Sequence, residues 1–258
     1  MEIIYSVISF FACLVGTVTG IGGGVMIKPA LDFVGHDSIS AINLFSGVTV
    51  FATCLWVAVG GVIKRERVIK ANTMVPLGIG SAIGGVLGKM LFNYLLETYD
   101  ARLLLRVQSF ALAGLLFATL VYTVVRKNIR ALHVKNPVIC VVIGAVLGVM
   151  AGFLGIGGGP INMAVLFFFF GMETKEAATN SIFIIVFSQA ASILYMVIAR
   201  LVPAFSWLVL GLMIVCGIVG AVAGRIISKK MSQRFVHYAL LITTFAIVAV
   251  SLYNGIVI

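Results

Sequence analysis

The chain has 258 residues, of which 62% are hydrophobic and 10% charged, with a mean hydropathy of +1.20. A water-soluble domain carries about 45–50% apolar and about 25% charged residues, so this chain has too little polar surface to cover a globule in water, and its solvent is a lipid bilayer. A soluble enzyme, a secreted binder and a nucleic-acid-binding domain are excluded, and the formal net charge of +10 reads as loop charge that sets membrane orientation.

A spanning helix takes about 20 apolar residues. Long apolar stretches run over 3–19, 39–60, 73–95, 103–125, 138–154, 177–199, 205–224 and 236–257. Two shorter pieces, 25–35 and 160–171, each follow a glycine run directly. Helices are the natural reading of all ten, because a backbone in lipid must satisfy its own hydrogen bonds. Pro76, Pro137 and Pro203 lie at expected segment starts, where a missing N–H costs little. The N-terminus has no basic region ahead of its first apolar stretch, which argues against a cleaved signal peptide. Cys13, Cys54, Cys140 and Cys216 fall inside apolar runs, with no C-x-x-C pair and no nearby His. They read as small packing residues, and neither a metal nor a cofactor is implied.

The chain repeats itself. GIGGG occurs at 20–24 and again at 155–159, Asn43 corresponds to Asn180, and Gly84, Gly88 and Lys89 correspond to Gly220, Gly224 and Arg225. The organisation is therefore a first transmembrane repeat over 1–125, a basic cytoplasmic linker over 126–137 and a second repeat over 138–258. Charge separates two topologies. If the eight long segments each cross once and the short pieces do not count, the 18 Lys and Arg divide nine to nine across the membrane. If each long segment before GIGGG pairs with its short follower, entering and leaving on one side, the division becomes 13 to five. The second obeys the excess of positive charge on the cytoplasmic side. It predicts an all-α, polytopic bundle of two homologous, inverted halves, each with a glycine-tipped helix pair and with both chain termini outside.

Three adjacent glycines cover every face of a helix and weaken it by about 1 kcal/mol each, so GIGGG is not a packing stripe. Each run reads as a turn followed by a new helix start, whose free N–H groups and positive dipole end favour an anion. Gly22, Gly23 and Gly24, with Gly157, Gly158, Gly159 and Pro160, are the candidate substrate-binding residues. Asn43, Asn180 and Ser181 lie just inside the following segments, where they could donate to an anion's oxygens or join helices. Lys28 could neutralise an anion or reach the surface. By contrast, the series Gly80, Gly84, Gly88 and Gly144, Gly148, Gly152 read as helix packing. Gln189, Ser188 and Ser192 fall mid-segment, as packing or a cavity wall. The carboxylates lie at ends, connectors or short pieces, with Asp32 of uncertain depth, which argues against a dedicated carboxylate relay.

At the residue level the chain resembles the sulfite exporter TauE/SafE family of membrane transporters. The resemblance rests on GFLGIGGGPINMAVL (152–166) with METKEAATNSI (172–182), and on GIGGGVMIKPAL (20–31) with SAINLF (40–45). The first run is followed by Val25, with Lys28-Pro29 coming later, where the second has Pro160 at once. The resemblance implies export of small sulfur-containing anions such as sulfite or organosulfonates across the cell membrane. The partners expected are that anion and the bilayer. Alternatives are a permease for another anion, such as a carboxylate, and a non-transporting assembly subunit. An intramembrane hydrolase is disfavoured, since the sequence has no mid-segment His and no G-x-S-x-G to supply a nucleophile with its base.

Overall fold

A computed structural model describes residues 2–34, 36–63, 71–125 and 130–257. The basic connector 64–70 and residues 126–129 lie outside them. Among the described residues the chain forms ten helices and no strand: α1 Glu2–Thr19, α2 Gly24–Val34, α3 Ile39–Ile63, α4 Ala71–Thr98, α5 Ala101–Val125, α6 Pro137–Leu154, α7 Gly159–Phe170, α8 Thr174–Ile198, α9 Trp207–Lys230 and α10 Gln233–Val257. Eight are long and apolar enough to span a bilayer; α2 and α7 are the short ones. The outward faces carry exposed Ile, Val, Phe and Trp, such as Trp207, Ile242 and Ile256, as lipid-facing helices do.

Local chemistry sets the helix starts. Asn136 accepts from the Val138 N–H at 2.9 Å with Pro137 in the first turn of α6, and Ser206 caps α9 through Val209 N–H. Pro76 differs from expectation. The helix begins at Ala71, so the proline falls inside α4, because the segment continues into more polar residues than hydropathy alone admits. The end of the basic linker is docked rather than free: Leu132 and Val134 N–H donate to Phe168 and Phe169 carbonyls at the end of α7.

Small residues decide which helices meet. A side chain on Gly80, Gly84 or Gly88 of α4 would strike the Val141, Ala145 or Val149 carbonyl of α6, and one on Gly144, Gly148 or Gly152 would strike Leu77, Ser81 or Gly85 of α4. The two series therefore form one contact along two parallel helices, the close approach that small-x-x-x-small patterns permit. Gly220 and Gly224 of α9 meet Phe10 and Leu14 carbonyls of α1 in the same way. Each of these contacts joins residues from before and after the linker. Between them, α3 and α8 run antiparallel. Asn43 and Gly47 lie with Gln189 and Met196, whereas Cys54 and Val57 lie with Ile182.

Candidate functional site

Both GIGGG runs end a long helix. Gly155 caps α6 in the left-handed conformation, at φ 67°, and its N–H donates to Ala151. Within the second run, Gly158 (φ 95°) caps α7, with Pro160 in its first turn. All ten glycine-run residues are buried. The two runs touch. A side chain at Gly24 would meet the Ile156 carbonyl, and one at Gly159 would meet the Ile21 carbonyl and Val25. Gly22, Gly23, Gly157 and Gly158 fill the same region, close to Ile185, Cys13, Val50 and Asn162. The runs thus pack on each other rather than cradling an open space between them. Their glycines are needed for packing whatever else they do: a Cβ on Gly23 would lie 2.7 Å from Cys13 Sγ, and one on Gly158 2.6 Å from Asn162 Oδ1.

Space lies beside the touching tips. One cavity, of about 10 Å3, is lined by Asn43, Gly47, Lys89, Gly155, Gln189 and Ser192 with neighbouring apolar groups. It holds about one water molecule. A second, on the other side, is lined by Thr17, Gly22, Gly23, Thr53 and Cys54 among others. The first is the electrostatically active one. Lys89 is its only charged lining residue among the described residues. Its side chain is 5% exposed, and its ammonium lies 4.8 Å from the Phe92 ring centroid. It makes no ion pair with a described carboxylate. Asn43, 3% exposed, has no hydrogen-bond partner for either amide atom among the described residues, and its amide abuts Gly155. An ammonium without a described carboxylate and an amide without a described partner thus line one buried cavity, and buried polar groups are ordinarily partnered.

Lys28 neither reaches the surface nor stands free. It is buried, 3.5 Å from Asp32 Oδ2 and 2.9 Å from Gln108 Oε1, while Gln108 Nε2 donates to the Phe153 carbonyl at 2.6 Å. Asp32 is thus a buried carboxylate inside the bundle, with its second oxygen lacking a described partner. Asn43 and Asn180 part company. Asn180 Nδ2 donates to the Glu176 carbonyl at 2.9 Å and to Met172 Sδ at 3.3 Å, and the residue does not line the polar cavity. Ser181 is buried with an unpartnered hydroxyl and does not line it either. Gln189 and Ser192 are cavity wall, whereas Ser188 bonds to the Ile185 carbonyl within its own helix.

Sequence reasoning missed two residues. Lys89 served only as a repeat landmark, although a lysine inside an apolar segment is itself a signal. Asn162, fully buried beside Gly158 with both amide atoms unpartnered, lies within the quoted GIGGGPIN stretch. Its repeat counterpart by the glycine-run spacing is Ile27, so the repeat drew no attention to it.

A family model described as sulfite exporter TauE/SafE matches residues 5–252, and the chain belongs to that family of multi-pass membrane transporters. It is similar to the "Probable membrane transporter protein YunE" of Bacillus subtilis (strain 168), with 23% identity across 98% of each chain. No solved structure matches the chain.

Proposed function

We propose, from membership of that family, that the protein exports small anions, sulfur-containing ones such as sulfite or organosulfonates in the first place, and that the anion is held in the polar cavity beside the second GIGGG run. The observation that carries this reading is Lys89: a buried ammonium without a described counter-ion, lining the same cavity as Asn43, whose amide has no described partner. Gln189 adds a neutral donor and Ser192 a hydroxyl. The family's printed description supports the choice of a sulfur anion.

The two repeats, 1–125 and 138–258, are inverted in this reading, with both termini outside the cell. The antiparallel course of α3 and α8 supports it, because corresponding helices of parallel repeats would run the same way. So does the exchange of contacts. Gly84 against Ala145 is matched by Gly220 against Phe10, and Gly24 against Ile156 by Gly159 against Ile21. A two-fold axis in the membrane plane brings both tips to mid-depth. The 11 and 12 residues of α2 and α7 fit, since at 1.5 Å per residue they cover about 16–18 Å, roughly half of a 30 Å hydrocarbon core. A cavity for one water is too small for a sulfonate, so α3 and α8 must part from α4 and α6 on one side at a time, as alternating access requires.

The test is purified protein in liposomes under a clamped potential, with no proton or sodium gradient, offered labelled sulfite, a sulfonate, sulfate and a carboxylate in parallel. The reading expects flux of sulfite or the sulfonate that follows the sign of the potential. Carriage of the carboxylate alone overturns the substrate assignment, and carriage of none overturns transport by this cavity.

A further inference from the structure

We propose that this site selects its anion by charge, accepting a monoanion and refusing a dianion, because it presents one ammonium without a described counter-ion, Lys89, while the neighbouring ammonium of Lys28 is cancelled by Asp32. The inference rests on the reading of the polar cavity as the anion site and adds to it a rule for which anions enter.

Lys28 comes close to the cavity. Gly155, which lines it, has Lys28 Cδ 3.5 Å from the position a Cβ would take. Gly155 and Lys89 line the same cavity, so an unpaired Lys28 beside Gly155 would make the site doubly positive. Three features prevent this. Asp32 stands one helical turn on, at i+4, with its carboxylate 3.5 Å from the ammonium. Gln108 Oε1 accepts a further hydrogen bond from the Lys28 ammonium at 2.9 Å. Gln108 is itself pinned by its bond to Phe153, so the lysine cannot swing toward the cavity without breaking both contacts. The net charge of Lys28, Asp32 and Lys89 together is one positive unit. A monoanion balances it. A dianion leaves one negative charge uncompensated in a site walled by Ala151, Ile193 and Met196, and a buried charge without a partner is strongly penalised.

Methanesulfonate and sulfate are suitable probes, being similar tetrahedral sulfur oxyanions that differ by one charge. Equilibrium exchange of each is measured in proteoliposomes at zero potential, so that the driving force does not favour either. Wild-type protein is expected to exchange methanesulfonate at least about tenfold faster than sulfate. Asp32→Asn, which frees the Lys28 charge, is expected to lower that ratio at least about threefold by raising sulfate exchange. Lys28→Met/Asp32→Asn, which removes both charges, is expected to keep the wild-type ratio. Should Asp32→Asn fail to fold, the double variant carries the test, since a fall to parity there overturns the neutral-pair argument. Equal exchange of both anions by the wild type, or a ratio unmoved in folded Asp32→Asn, overturns charge selection while leaving the anion site standing. Exchange of neither anion by the wild type overturns both together.

Discussion

Replacing Lys89 by Gln separates a binding residue from a structural one, because the two roles move binding and stability in different ways. An anion 4 Å from the ammonium gains about 4 kcal/mol at an effective dielectric of about 20. The glutamine amide keeps one neutral hydrogen bond of about 1–1.5 kcal/mol, so the loss is about 2.5–3 kcal/mol, or roughly 60–140-fold in affinity. The unliganded protein responds in the opposite sense. Lys89 is buried and rests only on the Phe92 ring among described partners. Removing its charge sacrifices about 2 kcal/mol of cation–π attraction but relieves a desolvation penalty of several kcal/mol. The variant is therefore expected to bind its anion about a hundredfold more weakly and to melt at a higher temperature. Binding isotherms and melting curves on the same purified protein read both quantities. Affinity within threefold of wild type would refute the placement of the anion, and weaker binding with a lower melting temperature would assign Lys89 to structure.

Gly84→Leu puts a side chain into the Ala145 carbonyl of α6 and is expected to cost more than about 3 kcal/mol, seen as lost yield and a lower melting temperature. Gly211→Ala meets nothing within 4 Å and is expected to raise stability by about 0.5–1 kcal/mol. Asn43→Ala removes an amide with no described partner, so isotherms should show weaker anion binding beside an unchanged melting curve. Asn180→Ala loses two hydrogen bonds, so it should lower the melting temperature by an amount matching about 1 kcal/mol with affinity unchanged. Tags at either terminus should be reached by an impermeant reagent from outside intact cells, and protection of both would reverse the assigned orientation.

The function of the glycine runs needs a different test from the one their sequence suggests. GIGGG invites a Gly→Val substitution as a test of substrate approach. Gly23 and Gly158 are pressed against Cys13 and Asn162, so valine there disturbs packing before it meets any substrate. Transport lost in such a variant would say nothing about binding. Lys89 and Asn43 are the informative positions because neither supports the fold through a described hydrogen bond.

Sequence alone determined the solvent of this protein, the repetition of its glycine run, and its ten helices to within three residues at each boundary except the end of α9, which runs six residues further. Those properties are local. Bilayer thickness demands a long apolar stretch wherever the chain crosses, and three consecutive glycines end a helix whatever surrounds them. The small-residue series of α4 and α6 could be recognised as packing faces, but not as faces of one another, since neither series names its partner. The working residues of the candidate site were decided by tertiary structure. Lys89 stands among Asn43, Gly155 and Gln189, which come from α3, the cap of α6 and α8, and its lack of a described counter-ion is visible only once those elements surround it. Asp32 and Lys28 cancel because one turn of α2 aligns them and Gln108 of α5 holds the lysine in place. Asn43 and Asn180 hold corresponding places in the repeat, yet both amide atoms of Asn43 lack a described partner, whereas Asn180 donates through Nδ2 to Glu176 and Met172 and leaves only Oδ1 without one. A repeat guarantees similar backbones, but the side chains that face each copy come from the opposite half, and there the two halves differ.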